Sequence, residues 1–325
     1  MPLPDPARYA RDAAQAIGAD YQDLDHGDNY LFRIAKNGRS ILSGAGSVAS
    51  FPINNASSVS IARDKSFTNA VLAEAGLPVI AGGLFFAHQR RVGLRGPGRE
   101  IADARAFAAS LGWPVFCKPN TGARGNFAEI IATDAALVDY AERIAIEFEA
   151  FLIQPLVRGV EHRVLIKDDR PIFHAAKHAP TLVGDGKVRV SELLARLNQS
   201  LDGTGVSPWP PSAIALAGRD PNEVLRPAEQ LALPGRRNLS AVGEIGRFST
   251  EVPEQLLDIA RGAVAALGLR LGAVDIFDAS AAGDMSDLMV IEVNGNPGLK
   301  TLELAGRVDL IRSIWTEMLN ELLEA

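Results

Sequence analysis

Short β-branched runs alternate with amphipathic helical stretches along this chain, and that alternation predicts a mixed protein of α+β (α/β) class. Two further observations shape the expectation. No repeat of fixed period occurs, and 325 residues are enough for roughly two domains, or one large domain with a lid. The composition, 47% hydrophobic and 22% charged, is that of an ordinary globular chain.

Residues 6–18 read as a helix, and "NYLFRIAKNGRSILSG" alternates with period two about Lys36-Asn37-Gly38, the signature of a hairpin. Residues 1–60 are therefore expected to form a small N-terminal unit. Asp64 sits just ahead of a helical run, 66–75, that stops at Gly76 with Pro78 beyond, an N-cap followed by a stop. Residues 101–111 predict a helix, "WPVFCKP" and "AEIIAT" predict strands, and 134–149 predicts another helix. "AFLIQPLV" reads as a strand and "EHRVLIKDDRPIFHAAKHAP" as a hairpin, followed by a short helix at 191–199. Residues 200–236, rich in Gly, Pro and Ser, read as a long excursion, functional and partly mobile. A helix at 254–268, strands "GAVDIF" and "LMVIEVN", and a last amphipathic helix at 309–323 complete the chain.

A formal charge of −6 and a pI near 5.5 argue against a nucleic-acid partner held by phosphate neutralisation. Cys117 is the sole cysteine, so no internal disulfide can form; inside an apolar run it reads as core filler rather than a reactive thiol. The first residues carry no apolar signal region, and no apolar run approaches the ~18 residues of a membrane span. The expectation is a cytoplasmic protein without a membrane partner.

Several stretches carry chemistry. In "VIEVNGNPGL" the period of two places Val290, Glu292 and Asn294 on one face, so a carboxylate and a carboxamide stand side by side at a strand end. On the preceding strand Ala273, Asp275 and Phe277 share a face. Buried acids need partners: a hard cation is one, and salt bridges to arginines are the alternative. "VFCKPNTGARGNFAEI" sets Lys118 before a loop with Gly122 and Gly125, where backbone amides and an ammonium could meet phosphate; an ordinary Lys-Pro turn is the other reading. In "LIQPLVRGVEHRVLI", Glu161, His162 and Arg163 lie between apolar runs, either at a hinge that offers hydrogen bonds to a base and ribose or at a solvated turn. His174 and His178 are four apart in a strand-like segment with no third ligand, so no histidine metal site is expected. Neither GxxxxGK[ST] nor GxGxxG occurs after a strand.

In order and spacing, "DKSFTNAVLAEAGLPV", "VFCKPNTGARG", "IQPLVRGVEHRVLI", "AAKHAPTLVGDGKVRVSELL", "RRNLS", "LGLRLGAVDIF" and "VIEVNGNPGL" resemble the ATP-grasp superfamily of carboxylate–amine ligases. The likeness is to the ATP-grasp region of cyanophycin synthetases and bifunctional glutathione synthetases, and it runs from about residue 60 to 300. It implies an ATP-grasp fold of two α+β subdomains over residues 61–325, with 84–150 as the lid and 151–325 as the catalytic part. It implies ATP with two Mg²⁺ ions, for which Mn²⁺ can substitute. By position, Lys118 and Lys177 resemble the phosphate-holding lysines, and Gln154, Pro155, Leu156 and Val157 the adenine hinge, with Gln where Glu is usual. Glu161 resembles the ribose ligand, and Asp275, Glu292 and Asn294 the metal ligands. Arg163 and Arg237 are candidates for a substrate carboxylate or acylphosphate, because a guanidinium fork fits such oxygens. His178, Ser240, Arg247, Asn296 and Gly298 fall on the substrate side.

The departures from the family pattern are Phe127 at a loop-glycine position, His178 in place of an Arg, and "NLSAVGEIGRFS", where Arg247 replaces an acid and Ala241-Val242 replace Thr-Gly. The nucleotide half is thus retained while the acceptor half has changed. The partner domains of the larger enzymes are absent, which gives the expectation of a stand-alone module. The resemblance implies an amide-forming ligase acting through an acylphosphate on small-molecule carboxylate and amine substrates, with homodimers common among relatives. The rival readings are a nucleotide-binding adaptor without turnover and a phosphotransferase of the same fold.

Overall fold

The computed structural model describes residues 3–90, 92–123, 125–177, 179–202, 208–235 and 248–324. The N-terminal unit is a helix, α1 (Asp5–Ala16), and an antiparallel sheet of β1 (Asp20–Asp23), β2 (Leu31–Lys36) and β3 (Arg39–Gly44) in that order. The hairpin between β2 and β3 turns at Asn37 (φ 52°) and Gly38 (φ 78°), both left-handed, which is why Asn-Gly occupies it. Two capped helices follow. Asn55 accepts the Ser58 amide at the start of α2 (Ala56–Arg63), and Asp64 accepts the Phe67 amide at 2.9 Å at the start of α3 (Lys65–Glu74).

A first sheet has the order β4-β7-β5-β6, from β4 (Gly83–Phe86), β5 (Val115–Pro119), β6 (Glu129–Ile131) and β7 (Ala150–Pro155). Helices α4 (Ile101–Leu111) and α5 (Asp134–Ile144) cover it, enclosing Leu137, Tyr140, Ile144, Phe151 and Cys117. The chain leaves α5 at Ile144, earlier than 149, and turns through Phe148 into β7. Strand β7 lies beyond residue 150 yet pairs with β4 and β5, so it belongs to this sheet rather than to the part that follows. Cys117 is fully buried and desolvation pushes its thiol pKa up, in keeping with core filler.

The second sheet runs β12-β9-β8-β13-β14, built from β8 (Val160–Lys167), β9 (Arg170–Lys177), β12 (Phe248–Ser249), β13 (Leu271–Asp278) and β14 (Leu288–Asn294). Helix α8 (Glu254–Ala266) packs Leu256, Ala260 and Val264 against its rear face at Val164, Ile166, Val274 and Ile276. The short helix α9 (Lys300–Leu304) leads into α10 (Val308–Glu324), which lays Trp315, Met318 and Leu319 against Tyr9, Phe32, Ile34 and Phe51. Fully burying each such side chain stabilises by about 2–3 kcal/mol. The described part of the N-terminal unit, from Ala7 to Ile53, therefore shares one core with the last helix and with Leu165, Phe173 and Ala273 of the second sheet.

The excursion is folded where it is described. β10 (Thr181–Val183) pairs with β11 (Gln230–Ala232), and α6 (Val190–Ser200) and α7 (Ser212–Leu216) close over Leu194, Trp209, Ile214 and Leu225. Residues of the excursion, Trp209, Ile214, Leu225 and Leu231, thus share a satellite core with Leu182, Val190 and Leu194 before it. Gly and Pro there mark tight turns between short elements.

Candidate functional site

Between the two sheets lies a cleft of about 1150 Å³. Strand pairing decides which side chains reach it. Glu161 of β8 stands opposite Lys177 of β9 and Phe277 of β13; Arg163 stands opposite Ala175 and Asp275; and Asp275 stands opposite Glu292 of β14. Alternation then puts Glu161, Arg163, Lys177, Asp275, Glu292 and Asn294 on one face.

One expectation about this strand needs correction. Asp275 pairs with Glu292 but Ile276 pairs with Val290, so Ile291 is an extra residue in a β-bulge. The bulge breaks the period of two: Val290 turns to the rear core with Val293 instead of sharing a face with Glu292. The carbonyl of Ile291, freed from regular pairing, accepts from Lys118 Nζ at 3.3 Å.

Asp275 is almost fully buried, and its carboxylate takes both Nε and Nη2 of Arg163 at 2.7 and 2.6 Å, with Lys177 Nζ at 3.0 Å. Burial works to raise its pKa, but the Arg163 and Lys177 charges prevail and hold it well below the usual carboxylate range. Lys177 also bonds Glu161, so two buried acids share one ammonium. For Glu161 desolvation is the larger influence and its pKa is raised in spite of Lys177. Glu161 therefore sits within a strand, on the wall of the cleft, rather than at a solvated turn. The backbone before it is held by Gly159, where a Cβ would stand 2.0 Å from the Asp278 carbonyl.

The facing sheet supplies Lys118, buried at the end of β5, whose pKa desolvation lowers to about 8. Lys65, at the first turn of α3, donates to the Gly122 carbonyl at 3.0 Å and stands 4.0 Å from Glu292. Sequence reasoning missed Lys65 although it quoted the "DKSF" stretch. The available signal was a lysine directly after a capping Asp, and only the tertiary fold brings it to Gly122. Five cations, Lys65, Lys118, Arg158, Arg163 and Lys177, line this part of the cleft with two acids, Glu161 and Glu292, and Asp275 lies behind Arg163 and Lys177, so cations outnumber acids.

At the other end Gln154, Pro155, Leu156, Val157 and Ile80 line the cleft. Gln154 Nε2 donates to the Ile80 carbonyl at 2.8 Å, a bond that an ionised Glu could not make, and this accounts for Gln here. Gly122 and Gly125 also line the cleft, Gly125 with φ 70°. Phe127, at φ 52°, does not loosen the loop. Its ring meets Phe148 edge-on, and its carbonyl accepts from Tyr140 Oη at 2.9 Å, pinning the loop to the first sheet's core.

Asn296 and Gly298 line the cleft, but Asn296 Oδ1 accepts the Ser50 amide at 2.9 Å and so braces the turn after β14 against the N-terminal unit. His162 and His174 form a buried pair, Nδ1 to Nε2 at 2.8 Å, and desolvation takes His174 down to about 4. His178, Arg237, Ser240, Ala241, Val242 and Arg247 lie outside the described residues.

The donor set fits a divalent cation in part. Asn294 Nδ2 donates to Glu292 Oε1 at 3.2 Å, so the two side chains meet at the strand end through the amide nitrogen, and the carboxamide oxygen would join Glu292 on a hard cation once that amide turns over. Asp275 is instead engaged by Arg163, the alternative that spacing left open, together with Lys177. Among the described residues no group of three His, Cys, Asp or Glu is placed to hold a metal unaided.

Comparison with known proteins finds relatives by sequence. Over 262 residues, 74% of the chain, it is 23% identical to a cyanophycin synthetase from Geminocystis herdmanii, 28% of which is covered. Over 260 residues, again 74%, it is 26% identical to the glutathione biosynthesis bifunctional protein GshAB of Enterococcus faecalis, 32% of which is covered. No family model matches the chain. Among solved structures, a bifunctional glutathione synthetase from Pasteurella multocida aligns over 91% of the chain and 44% of its own, at 19% identity and a TM-score of 0.47. The chain spans less than a third of the length of those two sequence relatives. Among the described residues no helix is long and apolar enough to cross a membrane.

Proposed function

We propose that the chain is an ATP-dependent carboxylate–amine ligase that forms an amide or peptide bond and releases ADP and phosphate. The observation that carries this reading is the convergence of Lys65, Lys118, Arg163 and Lys177 in one cleft with fewer acids than cations, beside the hydrogen-bonded side chains of Glu292 and Asn294. A surplus of positive charge in a partly desolvated cleft suits a triphosphate, and phosphoryl transfer needs chiefly positioning and charge neutralisation.

Base and ribose are placed against Ile80, Gln154–Val157 and Glu161, and the phosphates against Lys118, Lys65 and the Gly122–Gly125 loop. A substrate carboxylate oxygen attacks the γ-phosphorus, the bond to ADP breaks, and an acylphosphate forms. The amine nitrogen then attacks the acyl carbon, phosphate leaves, and the nitrogen loses a proton. Arg163 retains Nη1 for a substrate or phosphate oxygen, since Nε and Nη2 are held by Asp275. A divalent ion, Mg²⁺ or Mn²⁺, held by Glu292 and Asn294 with Asp275 adjoining would supply charge screening of the phosphates. The Phe127-pinned loop limits water above the phosphates, which protects an acylphosphate from hydrolysis. The substrates are small molecules, amino acids or short peptides, and a cytoplasmic location suits a reaction that consumes ATP.

The test is ADP release measured with carboxylate alone, amine alone and both, alongside a mass-spectrometric screen of amino-acid and dipeptide pairs. Turnover that requires both, with a product lighter than the pair by one water, supports the ligase. Turnover with the carboxylate alone and a stable phosphorylated product makes it a phosphotransferase, and none with any pair makes it an adaptor.

A further inference from the structure

Asn120, the residue after β5, is buried, and each of its polar atoms is engaged. Its amide donates to the Ala150 carbonyl at 3.0 Å, and its carbonyl accepts from the Lys65 amide at 3.1 Å. On the side chain, Oδ1 accepts the Ser66 amide at 2.9 Å and Nδ2 donates to Asp64 Oδ2 at 2.7 Å. One asparagine thus grips residues 64, 65 and 66 in turn, the cap and first turn of α3. The Phe67 amide goes to Asp64 Oδ1 and the Thr68 amide to the Asp64 carbonyl, so every first-turn N–H of α3 has a protein acceptor. The helix end keeps no N–H for a ligand. What α3 presents to the cleft is the Lys65 side chain.

The grip crosses from one half of the molecule to the other. Asn120 is tied to the first sheet through Ala150 of β7, whereas α3 packs Leu72 into the core behind the second sheet. Two residues beyond Asn120, the Gly122 carbonyl accepts from Lys65 Nζ at 3.0 Å, and the same ammonium stands 4.0 Å from Glu292. A lysine side chain is long and flexible, so its charge is well placed for a phosphate only where the backbone beneath it is fixed. Building on the ligase reading, we infer that Asn120 is a positioning residue for nucleotide binding. It fixes Lys65 beside the Gly122–Gly125 loop and acts on the phosphates through that ammonium, without touching ATP itself.

The experiment is calorimetric titration of the full chain by AMPPNP with Mg²⁺, in the parent, Asn120→Ala, Lys65→Met and the double variant. Asn120→Ala keeps the backbone bonds to Ala150 and Lys65 and removes the two side-chain bonds. It should weaken AMPPNP by about 5- to 10-fold, and Lys65→Met by about 10-fold, the scale of a hydrogen bond to a charged group. Because Asn120 acts through Lys65, the losses should not add: in the Lys65→Met background Asn120→Ala should change affinity by less than about two-fold. A residue that only held the fold together would cost the same affinity in both backgrounds. Equal losses in the two backgrounds, or unchanged affinity in Asn120→Ala alone, would overturn the inference. Asp64→Ser cuts the same link from the helix side while serine still caps α3, and it takes the place of Asn120→Ala in the cycle if that variant lacks a cooperative melting transition. Binding is read without turnover, so absence of ADP release with every substrate pair would count against the ligase alone. Additive losses in a chain that binds AMPPNP would count against the positioning role alone, and a parent that does not bind AMPPNP would overturn both.

Discussion

Strand β8 carries charge clusters on one face at both ends, a largely exposed one around the buried Lys167 and a more buried one around Glu161 and Arg163, and they differ in how they are closed. At the far end Lys167 pairs with Asp168 at 2.6 Å and Glu317 at 3.1 Å, Arg270 pairs with Asp168 and Glu321, and Arg170 pairs with Glu317. Three cations meet three acids. Burial works to raise Asp168, yet Lys167 and Arg270 pull its pKa below the ordinary value. At the near end five cations meet three acids, and among the described residues the Lys118 ammonium donates only to a carbonyl, at 3.3 Å. The contrast teaches that buried charge by itself does not mark a site. A network closed by its own partners is structural, and one that leaves a cation short of an anion beside a cleft is arranged to receive one.

Asp275→Ala should break this contrast most strongly. It strands Arg163 and Lys177 without their shared carboxylate, and the expected loss is about 3–5 kcal/mol in urea denaturation, with ADP release abolished. Lys118→Met should act in the opposite sense on stability. Its ammonium is buried with little compensation, so the variant should melt no lower than the parent, while affinity for an ATP analogue falls about 10- to 100-fold by calorimetry. Lys167→Ala should do the reverse, costing about 1–3 kcal/mol because Asp168 and Glu317 lose a buried partner, with nucleotide affinity unchanged within about two-fold. Gln154→Glu should cost a similar about 1–3 kcal/mol, since a carboxylate would face the Ile80 carbonyl in place of a donor.

The smallest effect is on pH. Burial lowers Lys118 to about 8, below the ordinary lysine value of 10.5. Between those values the unfolded chain binds more protons at this position than the folded one, so its contribution to stability rises with pH. The uncharged amine no longer attracts phosphate, so nucleotide affinity should fall as pH passes through about 8. Affinity measured from pH 7 to 9.5 should show this decline in the parent and lose it in Lys118→Met.

Local signals carried much of this structure. The cap at Asp64, the helix over residues 101–111 and the Asn37-Gly38 turn were legible because each depends on a few neighbouring residues. So were the strands bearing Lys118, Glu161, Asp275 and Glu292, through their period of two. What escaped depends on register or on distant packing. The bulge at Ile291 turns Val290 to the other face with no mark in the local sequence. The choice of Arg163 as partner of Asp275 is set by the pairing of β8 with β13, across more than a hundred residues of chain. Lys65 reaches Gly122, and α10 reaches α1, only after the core has formed. The satellite core was hidden because its strands are three residues each, too short for a periodic signal.

The most direct measurement is a crystal structure of the chain with AMPPNP and Mg²⁺. It should place triphosphate oxygens within hydrogen-bond reach of Lys65 Nζ and Lys118 Nζ, with a cation on the oxygens of Glu292 and Asn294. A nucleotide bound elsewhere, with Lys118 still on the Ile291 carbonyl and Lys65 still on Gly122, would contradict it.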